Sequence, residues 1–291
     1  MSVETKFRKF CSNLAITNIP TISERYKKIT RRLNLEYWDW DNETAFSRYV
    51  GSYGRGTAIN GFSDLDMIFQ LPATVKGRID RHTGNGQSAL LQEVKNKIEK
   101  TYWNTDVGGD GQVVVVNFSD GMKFEIVPAF ENDDKSFTYP DSNSGGKWKK
   151  TDPIPEIKAV GEVDKSTNGN MKCLSKMMRA WKNKCNVPMG GLLIDTLAHR
   201  FLLNWEYKTN GFLYYDWMTR DFLKYLSEED PNKKFWYALG SQQYVWHRGS
   251  FEAKAKKAYK ISLEAIEFEK NDRDWSANQK WREIYGTTFP N

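Results

Sequence analysis

Asp64 and Asp66 stand one residue apart in the run S-D-L-D-M-I-F. The neighbouring Leu65, Met67, Ile68 and Phe69 have strand character, and a strand sends alternate side chains to one face. The two carboxylates are therefore expected to share a face, while Leu65 and Met67 enter the core. Adjacent carboxylates repel each other and gain nothing from packing, but a divalent cation between them reverses that balance. Just upstream, Gly51, Ser52, Gly54 and Gly56 form a small, tight turn. Its backbone N–H groups and the Ser52 hydroxyl suit a phosphate. A phosphate cradle and a metal site within one stretch, Gly51 to Phe69, indicate nucleotide chemistry.

Taken singly, a D-x-D on a strand and a glycine-rich turn are both weak signals. Together they are more specific, because Gly51-Ser52 is followed by eleven residues and then by Asp64-x-Asp66. A third acidic residue comes later. After the apolar run Val113 to Val116 and the turn Ser119-Asp120-Gly121, Glu125 interrupts the apolar segment Phe124 to Ala129. A core strand tolerates a buried carboxylate poorly unless it is paired or metal-bound.

The elements that must position these residues follow from periodicity. Residues 1–40 read as two helices, with Pro20 breaking the first and Thr21-Ile22-Ser23-Glu24 as a capping box for the second. Ile22, Tyr26, Ile29 and Leu33 form its apolar face, and Lys27, Lys28, Arg31 and Arg32 a solvated one. A first strand is expected over 45–51, a helix over 88–102, and a hairpin over 112–118 and 122–130. Residues 73–87, with Lys76, Arg78, Arg81 and His82, read as a loop. A surface excursion is preferred there to a mobile flap. From 131 to 164 periodicity disappears, which suggests an ordered connection containing Gly145-Gly146-Lys147-Trp148.

The remainder reads as helical. Over 171–184, Leu174, Met177, Met178 and Trp181 share one side, and Lys172, Lys176, Arg179 and Lys182 the other. That cationic stripe is a sensible partner for a triphosphate. Helices are also expected over 192–205, 212–226 and 250–268, with Trp275, Trp281 and Tyr285 pinning the C-terminal segment. Tyr244 and Trp246 are conceivable stacking residues, but core packing is the preferred assignment. The expected fold is α+β: a catalytic lobe over residues 1–160 and a mainly helical lobe over 161–291 that closes a nucleotide-binding cleft.

Composition bounds the partners. The chain has 291 residues, 39% of them apolar, and 43 basic against 37 acidic side chains for a net charge of +6. That balance suits an anionic ligand, with nucleotides and nucleic acid both compatible. No uncharged run approaches a membrane span, and Met1 to Phe10 lacks a signal-peptide core. Cys11, Cys173 and Cys185 form no metal-binding spacing and read as reduced core thiols. A cytoplasmic protein without membrane partners is expected.

With these residues in hand, the chain resembles the cGAS/DncV-like nucleotidyltransferases, the bacterial CD-NTases related to oligoadenylate synthases within the polymerase-β-like superfamily. The resemblance rests on G-S-Y-G-R-G-T-A-I-x-x-x-S-D-L-D-M-I-F, F-E-I-V-P-A-F, G-G-x-W-x-x-T-D-P and L-x-K-M-M-R-A-W-K, spanning roughly residues 45 to 205. It implies a polymerase-β-like lobe with a mixed or antiparallel sheet and a helical second lobe. It also implies joining of ribonucleoside triphosphates (ATP, GTP or pyrimidine nucleotides) into cyclic di- or oligonucleotides. Such second messengers switch on an effector in CBASS-type antiviral defence. Asp64, Asp66 and Glu125 would be catalytic and would hold two Mg²⁺ ions, with Mn²⁺ as the alternative. Gly51 and Ser52 would contact the donor triphosphate, and Lys176 and Arg179 its phosphates. Two departures are visible: Glu125 stands where many relatives have Asp, and Gly190-Gly191 falls where a nucleotide-contacting Ser is expected. Two other functions stay open at this point. One is nucleotidyl transfer to an antibiotic, a protein or an RNA end; the other is a non-catalytic nucleic-acid-binding sensor.

Overall fold

A computed structural model describes residues 1–61 and 64–291; Phe62 and Ser63, inside the Gly51–Phe69 stretch, lie outside the described residues. Helix α1 (Val3–Asn13) begins where the Ser2 hydroxyl accepts the Thr5 N–H at 3.3 Å. Helix α2 (Ile19–Tyr37) carries Pro20 in its first turn. A missing N–H is harmless there, so Pro20 opens this helix instead of breaking the previous one. The Thr21–Glu24 capping box accordingly does not form, since those residues are already helical. Ile22, Tyr26, Ile29 and Leu33 are buried as their spacing requires.

Strand β1 (Ser47–Tyr49), the one-turn helix α3 (Gly51–Gly54) and strand β2 (Leu65–Gln70) come next. Residues 73–87 are not one loop: only 80–85, with Arg81 and His82, connect two helices. Helix α4 (Ala73–Ile79) forms because Val75 and Ile79, four apart, both bury. Its cations are engaged, Lys76 with Asp80 at 2.6 Å and Arg78 with Glu93 at 2.8 Å. Helix α5 (Gly86–Glu99) precedes strands β3 (Asp106–Asp110), β4 (Val113–Asn117) and β5 (Lys123–Glu131). The aperiodic segment then yields a hairpin, strands β6 (Phe137–Asp141) and β7 (Lys147–Thr151), followed by helix α6 (Pro153–Ser166). After it come α7 (Asn170–Cys185), α8 (Gly191–Asn204), α9 (Tyr215–Ser227), β8 (Phe235–Tyr237), β9 (Tyr244–Trp246), α10 (Phe251–Lys270) and α11 (Asp274–Tyr285).

The main sheet runs β1-β2-β5-β4-β3, with β6 on the far end of β5 and β7 on β6. The β2–β5 pair is parallel and the other pairs are antiparallel, so the sheet is mixed and the architecture α+β. Two compact units result: Thr17–Gly54 with Ser63–Ile154, and Met1–Ile16 with Arg55–Phe62 and Pro155–Asn291. The first unit holds the sheet with α2 to α5. In the second, α1 belongs with the later helices and not, as expected, with the catalytic core. Its Phe7 ring lies 5.3 Å from both Trp281 and Phe289, and Phe10 lies 4.5 Å from Tyr285. Trp281 and Tyr285 thus pin the C-terminal segment, whereas Trp275 is exposed. Tyr244 and Trp246 are not core either; the buried ring of that hairpin is Trp236. No described helix is long and apolar enough to cross a membrane.

Candidate active site

Asp66 sits on β2 and Glu125 on β5, and the parallel ladder pairs them directly, between Leu65↔Phe124 and Met67↔Ile126. Directly paired residues of one ladder point to the same face, so both carboxylates emerge on one side of the sheet. The alternate residues Leu65, Met67, Phe124 and Ile126 are buried on the other. Asp64 stands just before β2 and is exposed. Lys123, two residues before Glu125 and on its face, places its ammonium 2.5 Å from Glu125 Oε1 and 3.4 Å from Asp64 Oδ2. Both carboxylates are therefore within reach of one cation. Glu125 first, then Asp64, hold the Lys123 ammonium above the usual lysine range, against its partial burial. From the sequence alone Lys123 has no expected role. A basic residue two before a strand carboxylate is the signal that points to it.

The Gly51–Gly54 turn is built against Asp66. The Val50 N–H donates to the Asp66 carbonyl at 2.9 Å, and the Gly54 N–H donates to the Val50 carbonyl at 2.8 Å. Gly51 adopts φ +58°, and a Cβ there would come within 2.6 Å of the Asp66 carboxyl carbon. Only glycine satisfies both conditions. Ser52 follows it, half-buried. Tyr53 packs on Tyr49 at 4.6 Å, which in turn stacks on Tyr26 of α2 at 4.0 Å. These rings fix the turn to β1 and α2.

The phosphate ligands expected on α7 divide. Arg179 is buried, and its guanidinium forks onto Asp195 of α8, Nη1 donating to Oδ1 at 2.7 Å and Nη2 to Oδ2 at 2.9 Å. Remaining N–H groups go to the carbonyls of Ser175 and Gly191, each at 3.1 Å. Four of the five guanidinium N–H groups of Arg179 thus serve the fold, held by a fully buried carboxylate and two carbonyls. Arg55 donates to the same Asp195 at 2.8 Å and pairs with Glu156 at 3.3 Å, and the Thr57 hydroxyl adds a bond to Asp195 at 3.0 Å. Burial pushes Asp195 up, but Arg179 and Arg55 outweigh it and hold the carboxyl down at about 2. A lone Asp inside the apolar run L-L-I-D-T-L-A is the sequence signal for this node. Lys176 differs from Arg179. It is half-buried and forms no ion pair among the described residues. Lys172 of the same stripe pairs with Asp164 at 3.1 Å.

Among the described residues, no three acidic, histidine or cysteine side chains stand together closely enough to hold a metal ion. The expected trio shares a face but does not converge, since Glu125 is drawn to Lys123. The donor set nonetheless fits Mg²⁺. It consists of carboxylate oxygens alone, and a cation already lies between two of them, Glu125 and Asp64.

Residues 1–164, more than half of the 291, match the family described as Second Messenger Oligonucleotide or Dinucleotide Synthetase domain, or SMODS. A protein of Bacillus cereus (strain VD146), named as a probable cyclic nucleotide synthase, is 25% identical over 176 residues, covering 57% of this chain and 51% of that protein. The chain thus spans about half the length of that relative. Among solved structures, CdnC of E. coli MS115-1 with ATP matches at a TM-score of 0.68 and 14% identity, over 99% of each chain. The Bradyrhizobium diazoefficiens CD-NTase CdnG with GTP matches at 0.67 and 11% identity, over 98% of this chain and 95% of that one. A mutant of the Vibrio cholerae dinucleotide cyclase DncV matches at 0.67 and 10% identity, over 99% of this chain and 87% of that one. At such identities these likenesses speak for the fold alone, which this chain shares with CdnC, CdnG and DncV. With the family match over residues 1–164, the chain belongs to the SMODS family, the cGAS/DncV-like group that its motifs resemble.

Proposed function

We propose that this protein joins ribonucleoside triphosphates into a cyclic di- or oligonucleotide with release of pyrophosphate. The observation that carries the proposal is the Asp66–Glu125 pair, opposed in one ladder beside the Gly51 backbone. Asp64, Asp66 and Glu125 would hold two Mg²⁺ ions, with Mn²⁺ as the alternative. Bound by these carboxylates, such ions would supply Lewis-acid chemistry, making the attacking ribose hydroxyl more acidic and offsetting charge on the pyrophosphate. The Gly51–Ser52 turn receives the donor triphosphate through backbone N–H groups and the Ser52 hydroxyl. Glu125 accepts the proton of the attacking hydroxyl, and Lys123, 2.5 Å from its Oε1, positions that carboxylate. Lys176 is the remaining candidate phosphate ligand on α7; Arg179 is not one.

The substrate proposal leans on relatives solved with ATP and with GTP. The product would be a second messenger acting on an effector in CBASS-type antiviral defence, made in the cytoplasm. The test is incubation with all four ribonucleotides, Mg²⁺ and no acceptor, followed by phosphatase treatment and mass spectrometry. A phosphatase-resistant cyclic product is expected, and Asp64→Asn with Asp66→Asn should remove it. Products that form only with an added acceptor would point to a different transferase, and undiminished pyrophosphate release by the double variant would sink the site assignment.

A further inference from the structure

The β8–β9 hairpin carries an unusual outer face. Its register pairs Phe235 with Trp246 and Tyr237 with Tyr244, so these four rings share one face and Trp236 and Val245 the other. The inner pair packs into the helical core, with Trp236 only 1% exposed. A solvated sheet face is ordinarily polar. Here Tyr237, Tyr244 and Trp246 are 47%, 56% and 58% exposed. The rings are contiguous: Phe235 lies 4.5 Å from Tyr244 and 5.6 Å from Trp246, and Tyr237 lies 5.5 Å from Tyr244. Ring-on-ring packing orients them in advance, so little freedom is lost when a ligand lands.

Charge beside the patch is positive. A cavity of about 360 Å³ is lined by Arg200, Lys233, Lys234, Phe235, Trp236 and Tyr237. Arg200 donates to the Tyr237 carbonyl at 3.0 Å, which ties it to the hairpin. Lys233 stands 3.8 Å from Glu229, while Lys234 forms no ion pair among the described residues. Glu252 is paired with His247 at 2.9 Å. A second copy of the hairpin would bring like charges together. A duplex keeps its base faces stacked internally and offers the rings nothing. An unpaired polynucleotide satisfies both features, its bases against the rings and its phosphates against the lysines.

We propose that the outer face of the β8–β9 hairpin binds single-stranded nucleic acid through Tyr237, Tyr244 and Trp246, with Lys234 taking a phosphate. The site uses none of the residues assigned to nucleotidyl transfer. The test is fluorescence anisotropy of the full chain with fluorescein-labelled oligothymidylate, oligouridylate and a duplex of equal length. Single strands should bind better than the duplex and quench tryptophan emission. Trp246→Ala and Tyr244→Ala should each weaken binding about 5- to 150-fold, the loss expected for one base-stacking ring. Lys234→Ala should reduce the slope of log K against log salt by about 0.7. Melting curves unchanged from the parent would show that these exposed substitutions leave the fold intact. Single-strand binding indifferent to both ring variants, equal or tighter duplex binding, or no binding at all would each overturn the proposal. So would a dimer that Trp246→Ala dissociates without any oligonucleotide binding, since the face would then join two copies.

Discussion

Asp66 and Glu125 face each other across the parallel β2–β5 ladder, residue opposite residue. Their common side is thus inherited from backbone hydrogen bonding between two central strands, and a register slip of one residue would send one carboxylate to the opposite face. The buried neighbours Leu65, Met67, Phe124 and Ile126 forbid that slip.

Removing either charge should therefore abolish chemistry while sparing the fold. For Asp66→Asn and Glu125→Gln we expect pyrophosphate release to fall by about 10³-fold or more, the scale of losing several kcal/mol of metal-assisted stabilisation. Thermal unfolding should stay near that of the parent. Turnover within tenfold of the parent in either variant would contradict the assignment.

Gly51→Ala should damage activity more than stability. Positive φ at a non-glycine residue costs about 1–3 kcal/mol, and the added methyl must displace the Asp66 carboxylate. Melting temperature should drop modestly and nucleotidyl transfer should be lost. An alanine variant with full turnover would show that the turn yields where the structure has it rigid.

Arg179 and Lys176 should separate cleanly. Arg179→Ala strips a buried carboxylate of its bidentate partner, and breaking a buried pair typically costs about 3–5 kcal/mol. Lys176→Ala should change stability by about 0.5 kcal/mol or less while raising KM for the nucleotide. Denaturant unfolding and steady-state kinetics on the two variants check this. Wild-type stability in Arg179→Ala would return that residue to the list of possible phosphate ligands.

Two buried carboxyls in the helical unit give opposite pH dependences. Burial lifts Asp216 to about 7, above its ordinary 3.8, although the Trp217 N–H donates to it at 2.8 Å. The native state then keeps a proton that the unfolded chain releases, so stability should fall as pH rises from about 4 to about 7. The loss is on the order of a few kcal/mol at most. Asp195, held at about 2, works the other way: its contribution is present above 3.8 and fades as pH falls toward 2. Denaturant melts across pH 3 to 8 should show the upper decline, and Asp216→Asn should flatten it. An unchanged decline in that variant would place its origin elsewhere.

The candidate catalytic segment is legible in the sequence because its residues are close in the chain. Gly51-Ser52, Asp64 and Asp66 lie within one short stretch, and the strand period assigns their faces without tertiary information. Helical spacing likewise located α2, α5, α7 and α8, whose apolar faces are continuous. The β6–β7 hairpin escaped because Pro140 and the lysines of Lys147–Thr151 erase the alternation that marks a strand. Helix α4 escaped because a seven-residue segment with Gly77 between Lys76 and Arg78 resembles a loop until Val75 and Ile79 bury.

Residue types and spacing alone determined the family resemblance, the α+β class and three acidic candidates. Tertiary structure decided what those types do. It set Glu125 opposite Asp66 through strand pairing, gave Lys123 to Glu125 and Asp64, and committed Arg179 to Asp195. It also turned Tyr244 and Trp246 outward and Trp236 inward. The reason is physical: periodicity along a chain fixes which side of an element a residue takes, whereas the partner on that side is chosen by whatever the fold brings there, and a buried charge must accept the counter-charge it meets.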